Sequence, residues 1–182
     1  GTLAVPADQG VRDAVLIWSG SGPTDRDGNS ALGLMNNSLK MLAQALAEAG
    51  YVSVRTDKRG VGASALAAPP EIDHRFETCV EDAVRWAGFL KELPRIRNVF
   101  LLGHSEGALI ATMAAQRFRA AGLLLIAGTG FCAPDILRRQ IASPEVVMAE
   151  ALLKETHKII DALERGDTVP EISAELHAAY RP

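Results

Sequence analysis

Short apolar runs that end at glycine-rich or polar turns recur along the first two thirds of the chain. Four such runs occupy residues 14–18, 51–55, 99–102 and 123–127. Runs of about four to six apolar residues bounded by glycine are typical of strands buried on both faces of a parallel sheet. We therefore predict four parallel strands in this part of the chain.

Between these runs the apolar positions recur at three- and four-residue steps, which is the period of an amphipathic helix. The positions that define three helices are Leu39, Leu42, Leu46 and Ala49; Phe76, Val80, Ala83, Ala87 and Leu90; and Ala108, Ala111, Ala115 and Phe118. Strands and helices thus alternate, which predicts parallel strands joined by right-handed crossovers. The predicted fold class is α/β, with a doubly wound and mainly parallel sheet.

The pattern changes after Pro134, where no further strand-like run appears. One helical stripe is formed by Met148, Leu152, Thr156, Ile159 and Leu163. Residues 171–180 are expected to add a short helix. We predict a core over residues 1–133 and an all-helical segment over residues 134–182.

The composition of the chain makes several classes of binding partner unexpected. The 182 residues are 48% hydrophobic and 23% charged, with a net charge of −3, so global disorder and a basic surface that collects nucleic acid are not expected. No apolar run approaches the roughly 18 residues of a membrane span. No targeting segment is visible at the N-terminus, so a cytoplasmic location is expected unless such a segment has been removed. Neither cysteine nor histidine spacing suggests a disulfide framework or a metal site.

The strongest chemical motif is the sequence GHSEG at residues 103–107, which matches G-x-S-x-G. A predicted strand runs into it and an Ala-rich helix leaves it, as a nucleophile elbow requires. Gly103 and Gly107 would permit a turn so tight that Ser105 projects from the edge of the sheet. Ser105 is the predicted nucleophile, and the backbone N–H of Glu106 is the predicted first donor to an oxyanion.

A second oxyanion donor is expected from the glycine-rich loop at residues 19–28, which follows the first strong strand. Gly20 and Gly22 would let its backbone approach a ligand closely, and the N–H of Ser21 is the predicted donor. Three charged residues also lie in this loop: Asp25, Arg26 and Asp27. We expect them to hold its shape through an ion pair within the loop.

Three stretches in this order resemble the α/β-hydrolase superfamily, particularly bacterial esterases and serine-aminopeptidase-like or lysophospholipase-like hydrolases. They are SGSGPTDRDG (19–28), RTDKRGVGAS (55–64) and GHSEGA (103–108), with Ser19 where the family usually has histidine. The resemblance implies acyl-enzyme hydrolysis of a small-molecule ester, or less readily of an amide or thioester, without a cofactor. It places the strand before residue 19 beside the strand before Ser105, makes the helical segment a cap, and leaves His104 packed near the nucleophile rather than acting as base.

The chain departs from the family pattern after the elbow. The superfamily places the triad acid and base after Ser105, on loops that follow later strands. The histidines in that part of the chain are His157 and His177, and the aspartates are Asp135, Asp161 and Asp167; none follows a strand-like run. We therefore expect a truncated hydrolase core of low activity, or one that another copy completes. The resemblance also suggests that residues 3–5 are an edge strand, and that residues 123–127 have an unpaired edge that favours homo-oligomers.

Two other interpretations stay open from the sequence. A hydrolase-like domain that binds a small ligand without consuming it fits the missing acid and base. A nucleotide-binding module is suggested by the G-x-G-x-x-A match at residues 128–133. That fingerprint needs a second strand with an acidic residue at its end, and the helices expected after Pro134 do not lead to such a strand.

Overall fold

One mixed sheet organises the first part of the chain. Its strands are β1 (Thr2–Ala4), β2 (Arg12–Trp18), β3 (Val52–Arg55), β4 (Ile96–His104) and β5 (Gly122–Ile126). Their spatial order is β1-β3-β2-β4-β5; β1 runs antiparallel to β3, and the other neighbours are parallel. The four predicted strands and the edge strand near the N-terminus are therefore confirmed.

The computed structural model describes residues 1–8, 10–30, 33–70, 73–144 and 146–177. The chain divides into two units, Gly1–Thr129 and Gly130–Pro182, which we call the first and second unit. The sheet belongs to the first unit. The division predicted from sequence, at residues 133/134, falls just inside the second.

In the described part of the first unit, three α-helices lie between the strands from β2 onward. The helices are α1 (Ser38–Glu48), α2 (Phe76–Glu92) and α3 (Glu106–Ala115), as the periodicity predicts. A 3-10 helix, Gly62–Ala67, follows β3 in a stretch that carries no helical period. From β2 to β5 the order is therefore strand–helix–strand, which explains why the neighbouring strands in that part of the sheet run parallel.

Side chains of β2 alternate between the two faces of the sheet, as strand geometry requires. Val15 and Ile17 pack with Leu39 and Ala43 of α1 on one face. On the opposite face Ala14, Leu16 and Trp18 pack with residues of α2 and α3. Because helices cover both faces, the sheet is doubly wound, and its central strands are buried on both sides.

The second unit contains α4 (Ala133–Ile141) and α5 (Glu150–Glu164) in its described residues. Arg138 of α4 donates a 2.7 Å hydrogen bond to Asp161 of α5 and also bonds to Glu164. The predicted stripe on α5 is partly wrong, because Leu163 is 54% exposed while Ile160 is buried. The buried face is therefore rotated towards Ile160.

Two sequence expectations concern the end of this unit. The helix predicted over 171–180 is wrong for the residues described: 171–173 have no regular secondary structure and 174–177 form a turn, while 178–180 lie outside the described residues. No strand follows α4 in residues 142–144 and 146–177, so the glycine pattern at 128–133 lacks the context of a nucleotide-binding fingerprint. Across the described ranges, no helix combines the length and apolar character needed to cross a membrane.

Candidate active site

Ser105 lies in a sharp turn between the last residue of β4 and the first residue of α3. Its backbone angles are φ 55° and ψ −121°, a strained conformation for a residue with a side chain. The turn is held on both sides: the Ser105 N–H donates to the Ile126 carbonyl at 2.8 Å, and the Ala108 N–H donates to the Ser105 carbonyl at 2.9 Å. This is the geometry of a nucleophile elbow, in which strain presents the side chain at the end of the sheet.

Both glycines of the motif are required by close approach of backbone. A Cβ atom on Gly103 would lie 2.0 Å from the Gly107 carbonyl oxygen, and one on Gly107 would lie 2.6 Å from the carbonyl oxygens of Trp18 and Ser19. Contacts this short do not occur, so a side chain at either position would force the elbow open. The spacing of the motif therefore has a steric cause.

The glycine-rich loop lies beside the elbow. Strands β2 and β4 are parallel neighbours, with Trp18 opposite Gly103, so the loops that follow them begin at the same edge of the sheet. A Cβ atom on Gly20 would come within 3.3 Å of the Ser105 Cβ. The predicted adjacency of these two strands is confirmed, and their loops meet at the point where the strand order reverses.

The two amides predicted to hold an oxyanion have different surroundings. Glu106 is the first residue of α3, so its N–H has no acceptor within the helix. Ser21 is exposed, and its carbonyl accepts a 2.9 Å hydrogen bond from the Thr24 hydroxyl. The Ser21 N–H shares its peptide group with the Gly20 carbonyl, and that carbonyl accepts a hydrogen bond from the Lys58 ammonium group. The buried Ser19 hydroxyl donates to the Thr24 carbonyl at 3.1 Å and so braces the same loop.

The prediction of an ion pair within this loop is wrong. Arg26 pairs instead with Asp57, which its Nε atom contacts at 2.9 Å and to which its backbone N–H donates at 2.7 Å. Asp27 pairs with Arg55 at 2.9 Å. The Asp25 carboxylate, by contrast, bonds to nearby backbone: it accepts hydrogen bonds from the N–H groups of Asp27, within the loop, and Asn29, directly after it. The loop is thus tied to the end of β3 and the residues after it.

Asp57 is the centre of this connection, with a side chain that is 2% exposed. Burial alone would raise its pKa, but the Arg26 side chain and the backbone N–H groups of Arg26 and Ala63 outweigh burial and lower the pKa. Asp57 therefore stays ionised and joins the 19–28 loop to the 55–64 segment. No role was assigned to it from sequence, although it lies in the second of the three family-like stretches.

Lys58 was also missed. Its side chain is 8% exposed, which is unusual for lysine, and its ammonium group donates to the Gly20 carbonyl. The next residue, Arg59, forms two hydrogen bonds to Asp82 of α2, at 2.7 and 2.8 Å. The sequence signal available was the Asp-Lys-Arg run directly after a buried strand, but spacing alone does not reveal which partners these charges reach.

The remaining candidates lie in different parts of the chain. His104 is half-buried, and its Nδ1 would be 3.2 Å from a Cβ on Gly20, so it packs beside the glycine-rich loop. His157 lies within α5 and His177 in the turn at 174–177, both in the second unit. The described part of the chain contains no group of three or more His, Cys, Asp or Glu side chains placed to hold a metal ion.

Comparison with known proteins identifies the family. Residues 35–168 match the family described as "Serine aminopeptidase, S33". The chain belongs to this family. Its fold is that of the α/β-hydrolase superfamily, since solved α/β hydrolases align with it. The sequence-based recognition of an α/β hydrolase is thereby confirmed.

Relatives of this serine aminopeptidase family member include esterases and other hydrolases. Esterase EstD from Thermotoga maritima is 28% identical over 175 residues, which are 94% of this chain and 40% of EstD. The α/β hydrolase GrgF from Penicillium sp. sh18 aligns with a TM-score of 0.59 and 20% identity, over 92% of this chain and 62% of GrgF. XC6422 from Xanthomonas campestris, described as an α/β serine hydrolase without a lid, aligns with a TM-score of 0.51 and 27% identity, over 69% and 54% of the two chains. The chain thus spans less than two thirds of the length of each.

Proposed function

We propose that the full-length protein is a carboxylic ester hydrolase that acts through an acyl-enzyme on Ser105. One observation carries the proposal: Ser105 lies at a strained strand-to-helix turn, with the glycine-rich loop packed against it. Membership of a hydrolase family and similarity to a protein named as an esterase support the ester class. A small-molecule ester is the proposed substrate.

The proposed reaction assigns a role to each group at the elbow. The Ser105 oxygen attacks the ester carbonyl, and the negative charge that develops on the carbonyl oxygen is held by the N–H groups of Glu106 and Ser21. The alcohol leaves, and water then hydrolyses the acyl-enzyme. Each oxyanion donor is typically worth roughly 3 kcal/mol of the barrier. The chemistry uses no cofactor.

The proton of the Ser105 hydroxyl must pass to a general base. Within the described residues of the first unit, no side chain forms a hydrogen bond with that hydroxyl, and we assign no residue the role of acid or base. An unactivated serine hydroxyl is a weak nucleophile. We therefore propose that residues 1–182 alone hydrolyse esters slowly. We also propose that the helical second unit is a cap segment that selects substrate.

Covalent labelling tests the proposal directly. Full-length protein is treated with a fluorophosphonate probe, digested and analysed by mass spectrometry. We expect labelling on Ser105, no labelling of Ser105→Ala, and a parallel loss of p-nitrophenyl butyrate hydrolysis. Ser38→Ala, at the exposed start of α1, is the matched control and should label like the wild type. Labelling at another residue, or hydrolysis that survives Ser105→Ala, would contradict the assignment.

A hydrolase-like domain that binds a small ligand without cleaving it is the second candidate. The observation that favours it is the Ser105 hydroxyl without a hydrogen-bonded partner in the described first unit. Full-length protein that is folded, remains unlabelled and hydrolyses no ester, yet binds a carboxylic ester in calorimetry, would favour this candidate over the enzyme.

A further inference from the structure

Lys58 is a buried cation placed next to the candidate oxyanion loop. Its side chain is 8% exposed, and burial lowers the pKa of its ammonium group, while the Glu106 carboxylate opposes that effect. A buried charge is costly unless it is hydrogen-bonded. The bond that Lys58 makes is to the carbonyl oxygen of Gly20, which belongs to the chain segment packed against Ser105.

The position of Lys58 is held by both of its neighbours. Asp57 is tied to Arg26, and Arg59 is tied to Asp82 of α2. A lysine side chain usually has considerable rotamer freedom, which costs free energy when it is ordered. Here the flanking ion pairs fix the backbone from which Lys58 extends, so its ammonium group is a stable point of attachment for the glycine-rich loop.

The geometry of the peptide unit links this hydrogen bond to catalysis. The Gly20 carbonyl and the Ser21 N–H belong to the same peptide group, which is planar and trans. In a trans peptide the C=O and N–H bonds point in opposite directions. A donor that fixes the direction of the Gly20 carbonyl therefore fixes the direction of the Ser21 N–H as well. A cation at the carbonyl end also polarises the peptide, which strengthens the N–H as a donor.

We propose that Lys58 is a positioning residue of the oxyanion hole, holding the Gly20–Ser21 peptide so that the Ser21 N–H is presented to the oxygen that becomes charged during attack by Ser105. The proposal rests on the proposed esterase function. Lys58 itself touches neither substrate nor the reacting atoms; it acts through one peptide group.

This role predicts a particular kinetic signature. An oxyanion forms only on the way to the tetrahedral intermediate, so a misdirected donor lowers kcat more than it changes KM. Removal of an oxyanion donor typically costs about 100- to 1,000-fold in kcat. A donor that is present but poorly directed should cost less, roughly 10- to 100-fold. A residue needed only for stability would instead change the unfolding temperature and leave the kcat of the folded fraction unaltered.

The test uses the full-length protein and p-nitrophenyl butyrate. Lys58→Met keeps most of the side-chain volume but removes the donor, and Lys58→Gln restores a neutral donor on a shorter chain. Lys91→Met is the matched control, because the Lys91 ammonium group also donates to a backbone carbonyl, that of Arg97 at 2.6 Å, from the exposed end of α2. We expect kcat to fall 10- to 100-fold in Lys58→Met with KM within about threefold. The kcat of Lys58→Gln should lie between those of Lys58→Met and the wild type, and the kcat of Lys91→Met should equal that of the wild type.

The outcomes separate the inference from the function on which it rests. Active wild-type enzyme with an unchanged kcat in folded Lys58→Met overturns the inference alone, as does a change confined to KM. Loss of activity and of fluorophosphonate labelling as complete as in Ser105→Ala also overturns it, because that result would make Lys58 the proton acceptor. Wild type that is folded but inert overturns both proposals. Circular dichroism checks folding, and Lys58→Gln carries the test if Lys58→Met does not fold.

Discussion

Gly20 lies so close to Ser105 that a Cβ atom on residue 20 would come within 3.3 Å of the Ser105 Cβ and 3.2 Å of the His104 Nδ1. Gly20 and Ser105 are far apart in sequence, and they follow two parallel neighbouring strands, β2 and β4. The contact places a backbone without a side chain next to the candidate nucleophile, at the crevice where α/β sheets bind ligands.

Gly20→Ala tests whether this close approach matters for activity. The added methyl group must displace the loop or the elbow by a few tenths of an ångström, and small displacements of catalytic groups cost rate more than stability. We expect kcat/KM for p-nitrophenyl butyrate to fall about tenfold or more in the full-length protein, with a loss of about 1 kcal/mol in the free energy of unfolding. Gly130→Ala is the control, since its Cβ would meet nothing within 4 Å. An activity within twofold of the wild type in Gly20→Ala would contradict this expectation.

Substitution of alanine for two glycines of the first unit should change the free energy of unfolding in opposite directions. At Gly103 the new Cβ would lie 2.0 Å from a backbone oxygen, so the elbow must open, and we expect a loss of about 3 kcal/mol or more or failure to fold. Gly88 lies inside α2 with open space around it, so Gly88→Ala should stabilise the protein by about 0.5–1 kcal/mol. Urea unfolding followed by circular dichroism measures both. Similar behaviour of the two variants would refute the steric explanation of the motif.

Asp57→Asn should weaken the link between the glycine-rich loop and the segment after β3. Removing one partner of a buried ion pair leaves the other uncompensated, and we expect a loss of about 2–4 kcal/mol at pH 7. The pKa of Asp57 in the folded protein is below its ordinary value of 3.8. Its stabilising contribution is therefore full above about pH 4 and is lost as the pH falls through the folded-state pKa.

The corresponding measurement is urea unfolding of wild type and Asp57→Asn between pH 2.5 and pH 7. The difference between the two should be largest at neutral pH and should narrow below about pH 4. Asp167→Asn removes the carboxylate of an exposed pair with Arg165 and should change the unfolding free energy by less than about 0.5 kcal/mol. A difference that widens on acidification would show that the sign of the pKa shift is wrong.

Strand β5 is expected to promote self-association of the 182-residue chain. It is the last strand of the sheet among the described residues, and the side chains from Leu123 to Ile126 are between 40% and 52% exposed. An apolar strand with one unpaired edge can pair with another copy. Leu125→Lys should raise the concentration at which light scattering detects oligomers. Leu66→Lys, at a fully exposed position outside the sheet, introduces the same charge and should have no such effect; a wild-type monomer at high concentration would count against the prediction.

Much of the fold could be predicted because its determinants are local. A continuous apolar run such as residues 14–18 predicts a buried strand, and a three- and four-residue period such as that of α2 predicts a helix, without knowledge of distant residues. The G-x-S-x-G motif is local only in part: Gly103 faces the backbone of Gly107, four residues away, whereas Gly107 faces the carbonyl oxygens of Trp18 and Ser19 at the end of β2. The buried face of α5 was less predictable, because Leu163 and Ile160 are equally apolar and only packing distinguishes them.

By itself the sequence determined the order of strands and helices and the position of the elbow at Ser105, because backbone propensity, apolar period and glycine spacing act over a few residues. It also indicated the family, through three motifs in their expected order. The tertiary structure decided which charges meet. Arg26 reaches Asp57 rather than its neighbours in the loop, and Lys58 reaches the Gly20 carbonyl, across 31 and 38 positions of sequence. Long charged side chains near the ends of parallel strands pair with groups that are close in space. That proximity exists only once β3, β2 and β4 lie side by side.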